Sequence, residues 1–148
     1  LHRAGINTIT VSITTSQTVT GAHGIEVKAD TSIEKIICNS NDTLILPGGM
    51  PGATNLAECT ALTEILKKHN TEQGTIAAIC ASPAVVLAPL GILDNKTATC
   101  YPGFESAFTN CTKGDSPVVL DENIITANGP GTAIDFALAI VANTINVS

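Results

Sequence analysis

Ile76-Ala77-Ala78-Ile79-Cys80-Ala81-Ser82-Pro83, followed by the apolar stretch Ala84 to Leu90, decides how this chain is read. The first four residues form a short apolar run, which predicts a buried strand. Ser82 suits an N-cap and Pro83 a first helical turn, so a helix is expected from Pro83 onward. Cys80 is thereby placed in a tight turn at a helix N-terminus, where backbone N–H groups and the positive end of the helix dipole favour a thiolate. Strand, nucleophile and helix in that order make a nucleophile elbow, although Ala78 and Ser82 stand where a strict G-x-S-x-G pattern has glycines. Two readings are open at this point: a nucleophilic thiol, or an inert thiol packed in a core.

Working outward, strands and helices alternate. Ile6 to Ile13 mixes β-branched and polar residues and predicts a strand. Before it, Leu1 to Ala4 followed by Gly5 resembles the last turn of a helix with its C-terminal glycine, so the chain is expected to begin inside a helix. Gly21 to Ala29 suggests a hairpin or excursion. Leu44-Ile45-Leu46 predicts a short buried strand ended by Pro47-Gly48-Gly49, and Thr60 to His69 carries Ala61, Leu62, Ile65 and Leu66 at helical spacing. Further strands are expected at Lys96 to Cys100, Val118 to Leu120 and Ile124 to Thr126, and a last helix from Thr132 to about Asn143. Alternation with short connections predicts an α/β fold, a parallel sheet with helices on both faces, in a single domain over residues 1–148.

Composition narrows the partners. Hydrophobic residues make up 44% and charged residues 14%, so much of the chain must be buried in its own core or against another subunit. The net charge is −6 and the seven Lys and Arg residues are scattered, which argues against nucleic acid or an anionic membrane surface as a partner. No apolar run approaches the roughly 18 residues of a membrane span, and Leu1-His2-Arg3-Ala4-Gly5 does not resemble a signal peptide. The five cysteines, Cys38, Cys59, Cys80, Cys100 and Cys111, are odd in number, widely spaced and free of a C-x-x-C pair, so neither a metal site nor a disulfide framework is expected and free thiols in a reducing compartment fit. Sequons at Asn41, Asn95, Asn110 and Asn146 read as chance matches in a chain rich in Asn and Thr.

In an open α/β sheet, ligands sit beyond the carboxyl ends of the strands, where Pro47-Gly48-Gly49, the Cys80 turn and Asn128-Gly129-Pro130-Gly131 would all lie. Gly48 and Gly49 would let backbone N–H groups approach a small molecule. With the N–H of Ala81 they could form an oxyanion hole for an alkoxide produced by attack of Cys80 on a carbonyl. Each glycine pair alone reads as an ordinary turn, but three such loops converge on one cysteine.

Leu44 to Gly52 with Leu56, Ala77 to Pro83, Thr99-Cys100-Tyr101-Pro102-Gly103-Phe104 and Gly129-Pro130-Gly131-Thr132 together resemble the ThiJ/PfpI family, in particular its Parkinson-associated deglycase branch, in order and through nearly the whole chain. The resemblance implies a flavodoxin-like three-layer α/β sandwich with a mostly parallel sheet, usually a homodimer, cytoplasmic, with Cys80 as the reactive cysteine. It implies no cofactor, a role in oxidative or carbonyl stress, and a small 2-oxoaldehyde or a glycated protein as substrate. Gly48, Gly49, Ala81, Tyr101 and Pro130 are the expected oxyanion and binding residues. Arg3 matches an arginine that helps hold an anion, and His23 a position that contributes a basic residue across the dimer; each reads equally as a solvated surface residue.

Two departures bear on the chemistry. Relatives carry a first strand and a helix ahead of the position of Leu1, with a glutamate that contacts the cysteine, and none of the seven glutamates here matches it. The chain is therefore expected to be truncated at its N-terminus, with a sheet edge left unpaired. Tyr101 also stands where several relatives have His, and a phenol is a poor base near neutral pH though it can donate a hydrogen bond. Among the remaining candidates, His2 and His69 read as surface residues of helices, Cys100 as a half-buried strand cysteine or a second oxidisable thiol, and Asp135 as a first-turn carboxylate complementing a helix dipole. Three functions stay open: a Cys80-dependent glyoxalase or deglycase, a redox sensor or chaperone in which Cys80 is oxidised without turnover, and, with least support because no His partner is evident, a cysteine protease.

Overall fold

The computed structural model describes residues 1–145; the sequon at Asn146 lies outside them. A turn of 3-10 helix, His2–Ala4, opens the chain and ends on Gly5 in the left-handed conformation (φ 76°), the helix ending expected there. Of the strand expected from Ile6 to Ile13, only β1, Val11–Ser12, finds a ladder partner. β2 (Thr18–Thr20) and β3 (Glu26–Lys28) form the expected antiparallel hairpin, every residue of which is exposed. β4 (Thr31–Ser32) lies parallel to β1.

The central sheet has the order β5 (Thr43–Leu46), β6 (Thr75–Ile79), β10 (Ile124–Ala127) and β9 (Val118–Asp121). Short strands β7 (Thr97–Ala98) and β8 (Thr112–Lys113) pair with each other beside it. β5, β6 and β10 run parallel, and β9 returns antiparallel through a tight turn at Glu122, whose φ of 52° is left-handed. The sheet is thus mostly parallel, as expected, with an antiparallel edge. No strand pairs with the outer edge of β5 among the described residues.

Alternation along the buried strands sends residues to two cores. Ile76 and Ala78 of β6, Leu46 of β5 and Ile124 of β10 face one side, against Leu62 and Leu66 of α2 (Thr60–Thr71) and against Val86, Leu87, Ile92 and Leu93. Ala77, Ile125 and Ala127 face the other, against Phe136 and Ile140 of α3 (Ala133–Ile145) and Leu1. Helices on both faces complete a three-layer sandwich. Fully buried side chains such as Leu66, Ile76 and Leu87 each stabilise it by roughly 1.5–3 kcal/mol.

Helix α1 (Gly52–Glu58), between β5 and α2, was not expected from the sequence. His69 is corrected from a surface residue to a core one: it is 2% exposed, its Nε2 lies 3.0 Å from the Asp42 carbonyl and 3.3 Å from that of Thr75, and its ring covers Gly74, where a Cβ would come within 2.6 Å of Cδ2. Two carbonyls can only accept, so Nε2 carries the proton.

Candidate active site

Register puts the site at one end of the sheet. Leu46 is paired with Ala78 and Ala78 with Thr126, so three parallel strands deliver their C-terminal loops side by side: Pro47-Gly48-Gly49, Cys80-Ala81-Ser82 and Asn128-Gly129-Pro130. A fourth connection, Thr99-Cys100-Tyr101 after β7, is tied in by the Thr99 N–H, which donates to Thr126 Oγ1 at 3.0 Å. The carboxyl ends of parallel strands are where open α/β sheets bind ligands.

Cys80 occupies the turn in a left-handed conformation, φ 66°, which burdens an L-residue by roughly 1–2 kcal/mol. Two backbone hydrogen bonds fix it there: its N–H donates to the Ala127 carbonyl at 2.9 Å, and its carbonyl accepts from the Tyr101 N–H at 2.8 Å. Its side chain is part-buried. Gly48 passes directly over it. A Cβ on Gly48 would overlap Cys80 Cβ, lie 2.7 Å from the Ile79 carbonyl oxygen and approach Cys80 Sγ to 3.2 Å, so only glycine fits. Gly49 follows with φ 88°. Among the described residues, no protein acceptor takes a hydrogen bond from the N–H of Gly49 or of Ala81.

Tyr101 closes a second side. Its ring packs on Gly129, where a Cβ would come within 3.3 Å of Cδ2, and meets Phe104 edge-to-face with centroids 6.4 Å apart. Tyr101 remains 44% exposed. Pro130, exposed, starts the 3-10 turn that leads into α3. Gly48, Cys80, Tyr101 and the Gly129-Pro130 loop are therefore brought together, with Gly49 and Ala81 adjoining in sequence. Arg3 and His23 are both exposed, on the opening helical turn and at the tip of the hairpin, and no hydrogen bond or ion pair joins either to the site among the described residues.

Ser82 departs from its expected role. Its backbone is already helical (φ −63°, ψ −35°), its side chain caps no helical N–H, and its hydroxyl donates to the Pro47 carbonyl at 2.5 Å. The helix it precedes is also not a regular α-helix: Pro83–Leu87 has π geometry and Ala88–Leu90 is 3-10, ending on Gly91. Pro89 has no N–H to offer the carbonyl four residues back, which explains the change of pitch.

Three other thiols are shifted toward their protonated form. Burial, with the Glu105 carboxylate nearby, pushes Cys100 up to about 11, and Cys100 is buried just beyond β7 rather than half-buried in a strand. Burial also raises Cys38 and Cys111. Glu105 itself is held below the usual carboxylate range by N–H donors, its own and that of Gly103 at 2.7 Å, and by Lys113 at 3.2 Å, so it is committed away from Cys80. Among the described residues, no group of three or more His, Cys, Asp or Glu side chains could hold a metal ion, and no helix is long and apolar enough to cross a membrane.

A cysteine held in the strand-to-helix turn of a mostly parallel three-layer α/β sandwich, under a glycine loop, defines the class: an α/β protein with a thiol at the carboxyl ends of its parallel strands. The chain belongs to the DJ-1/PfpI family, whose model matches residues 1–143. It is 37% identical over 142 residues to Protein DJ-1 homolog B of Arabidopsis thaliana, covering 95% of this chain and 32% of that protein. It is 36% identical over 143 residues to Glutathione-independent glyoxalase DJR-1.2 of Caenorhabditis elegans, covering 95% of this chain and 75% of that one. Among solved structures, oxidized Toxoplasma gondii DJ-1 superposes with a TM-score of 0.90 at 38% identity, over 98% of this chain and 79% of the other. The chain spans about a third of the length of its Arabidopsis relatives.

Proposed function

We propose that this chain is a cysteine-dependent glyoxalase or protein deglycase acting on methylglyoxal or its adducts, a cytoplasmic activity of oxidative and carbonyl stress that needs no cofactor. The close passage of Gly48 over Cys80 carries the reading, because it lays glycine backbone beside a thiol where an oxyanion would form. A relative named as a glutathione-independent glyoxalase supports it. In the proposed reaction the Cys80 thiolate adds to the aldehyde carbon; the C–S bond forms as the carbonyl π bond opens, and the oxygen takes a proton to give a hemithioacetal. Its oxyanion precursor faces the N–H groups of Gly49 and Ala81. Proton transfer between the adjacent carbons through an enediol gives a thioester, and water releases the hydroxy acid and the thiol. Gly48, Tyr101 and Pro130 shape the space around the substrate.

The proton transfer needs an acid–base group. Glu105, four residues after Tyr101, is engaged elsewhere, with Gly103 and Lys113, and general acid–base assistance typically contributes about 10²–10⁴-fold. Cys80 is accordingly expected to form the adduct in this chain without efficient turnover. A homodimer fits the exposed β2–β3 hairpin, which bears Val19, Ile25 and Val27 at its surface and would gain stability against a second copy. In this reading His23 at its tip reaches across the dimer, and Arg3 holds an anion. Lactate formation from methylglyoxal by the wild type and by Cys80→Ala tests the reading: a Cys80-dependent rate, however small, supports it, and equal rates contradict it.

A second reading has its own support in the oxidized state of the Toxoplasma relative. In it Cys80 is a redox sensor or part of a chaperone-like protein and gains two oxygens as a sulfinic acid. Intact mass after mild peroxide tests it, with the gain expected at Cys80 alone.

A further inference from the structure

We propose that Ser82 is a positioning residue for the glycine loop: its hydroxyl sets the orientation of the Gly48 and Gly49 peptides over Cys80, and so the strength with which the site binds a carbonyl adduct. The inference rests on the reading of Cys80 as a carbonyl acceptor and adds to it a residue 35 positions from the loop it controls.

Ser82 is fully buried, and a buried hydroxyl without a partner would cost roughly 1–3 kcal/mol. Its partner is not the helix it precedes, since it caps no helical N–H. It is the carbonyl of Pro47, the residue that leaves β5 and enters the loop. That choice has a geometric consequence. The Pro47 carbonyl and the Gly48 N–H belong to one planar trans peptide and point in opposite directions, so fixing the oxygen fixes the N–H. Two residues later the Gly49 carbonyl is fixed as well, accepting from the Ala53 N–H of α1 at 2.8 Å. The Gly48–Gly49 peptide, with the Gly49 N–H, is thus suspended between two anchored planes.

Anchoring matters here because both residues are glycines. Without side chains they have no rotamer or Cβ contact to hold them, and Gly49 sits at φ 88° where only glycine rests easily. The α1 anchor is local and would survive a rotation of the Pro47 peptide. Among the described residues, the Ser82 bond is the one side-chain hydrogen bond that ties the loop to the elbow that carries Cys80, two residues before Ser82. A hydroxyl there holds loop and nucleophile in one frame.

The test compares wild type and Ser82→Ala in two measurements on Cys80. The first is the alkylation rate with iodoacetamide, in which sulfur displaces iodide and no charge builds on a carbonyl under attack. The second is the methylglyoxal concentration that halves this rate, which reports adduct affinity. Ser82→Ala is expected to keep the iodoacetamide rate within about twofold of wild type and to need about tenfold more methylglyoxal, less than the roughly 10²–10³-fold that removing an oxyanion donor outright produces. Ser82→Thr, which keeps the hydroxyl, is expected to recover affinity. Unchanged protection in Ser82→Ala overturns the positioning role alone. An equal loss in both measurements also overturns it, since Ser82 would then be holding the cysteine rather than the loop. Absence of protection in the wild type overturns the carbonyl reading of Cys80 and the role of Ser82 with it.

Discussion

Gly48 and Cys80 are in contact across two strand ends, so close that a Cβ on Gly48 would lie 3.2 Å from the sulfur and 2.7 Å from the carbonyl oxygen of Ile79. Backbone that rigid on both sides cannot yield by rotating a side chain. Gly48→Ala is expected to destabilise the fold by about 1–3 kcal/mol and to slow alkylation of Cys80 by crowding it. Denaturant unfolding and iodoacetamide kinetics on the same variant check both effects.

Cys80 pays for its place with a left-handed backbone, φ 66°. Cys80→Ala removes the thiol and keeps the strain; Cys80→Gly removes both. The glycine variant is expected to unfold at higher denaturant than the alanine variant, by roughly 1 kcal/mol. Equal stability of the two would mean that the strain relieved is no larger than the backbone entropy glycine adds to the unfolded chain.

Cys100 supplies a pH prediction. Its thiol is pushed up to about 11 by burial, with Glu105 contributing. A thiol raised on folding binds its proton more tightly in the folded state, so its contribution to stability is complete below the unfolded thiol value and is lost as pH climbs through about 11. Stability is therefore expected to fall more steeply above pH 9 in wild type than in Cys100→Ala. At pH 8 only about one Cys100 in a thousand would be thiolate, so its alkylation should be negligible there and accelerate near pH 11.

His69 holds the far end of the sheet. It donates toward the carbonyls of Asp42 and Thr75 and fills the space over Gly74. His69→Ala is expected to lose about 2–4 kcal/mol through the vacated volume and the freed carbonyls, with the iodoacetamide rate of Cys80 in the folded protein unchanged. A change in that rate would tie the two ends of the sheet together.

Periodicity and turn chemistry made much of this fold legible. Leu44 to Leu46, Ile76 to Ile79 and Ile124 to Thr126 read as strands because they are short β-branched and apolar runs bounded by turn residues, Pro47-Gly48, Ser82-Pro83 and Asn128-Gly129, and α2 because Leu62, Ile65 and Leu66 repeat at helical spacing. The site followed from them, since parallel strands bring their C-terminal loops to one end. The strand expected from Ile6 to Ile13 shrinks to Val11–Ser12, because a strand exists only where a neighbour pairs with it: β4 is in register with Val11 and Ser12, and the Thr31 N–H reaches back no further than the Thr10 carbonyl. Helix α1 was missed behind Pro51 and Gly52, although Ala53, Leu56 and Ala57 carry the i, i+3, i+4 signal that would have found it. Ser82 and His69 were misassigned for one reason. Local sequence offers Ser82 a helix cap and His69 a solvated helix surface, while their real partners, Pro47, Asp42 and Thr75, are set by tertiary packing.

The reactivity of the five thiols in one experiment bears most directly on Cys80. Site-resolved mass spectrometry of iodoacetamide labelling at neutral pH, with and without methylglyoxal, reads all five cysteines of the native protein at once. Cys80 is expected to label well ahead of Cys38, Cys100 and Cys111, whose thiols burial holds protonated, and methylglyoxal is expected to slow Cys80 alone. Labelling of any of those three ahead of Cys80, or a Cys80 rate indifferent to methylglyoxal, would contradict its place as the reactive centre.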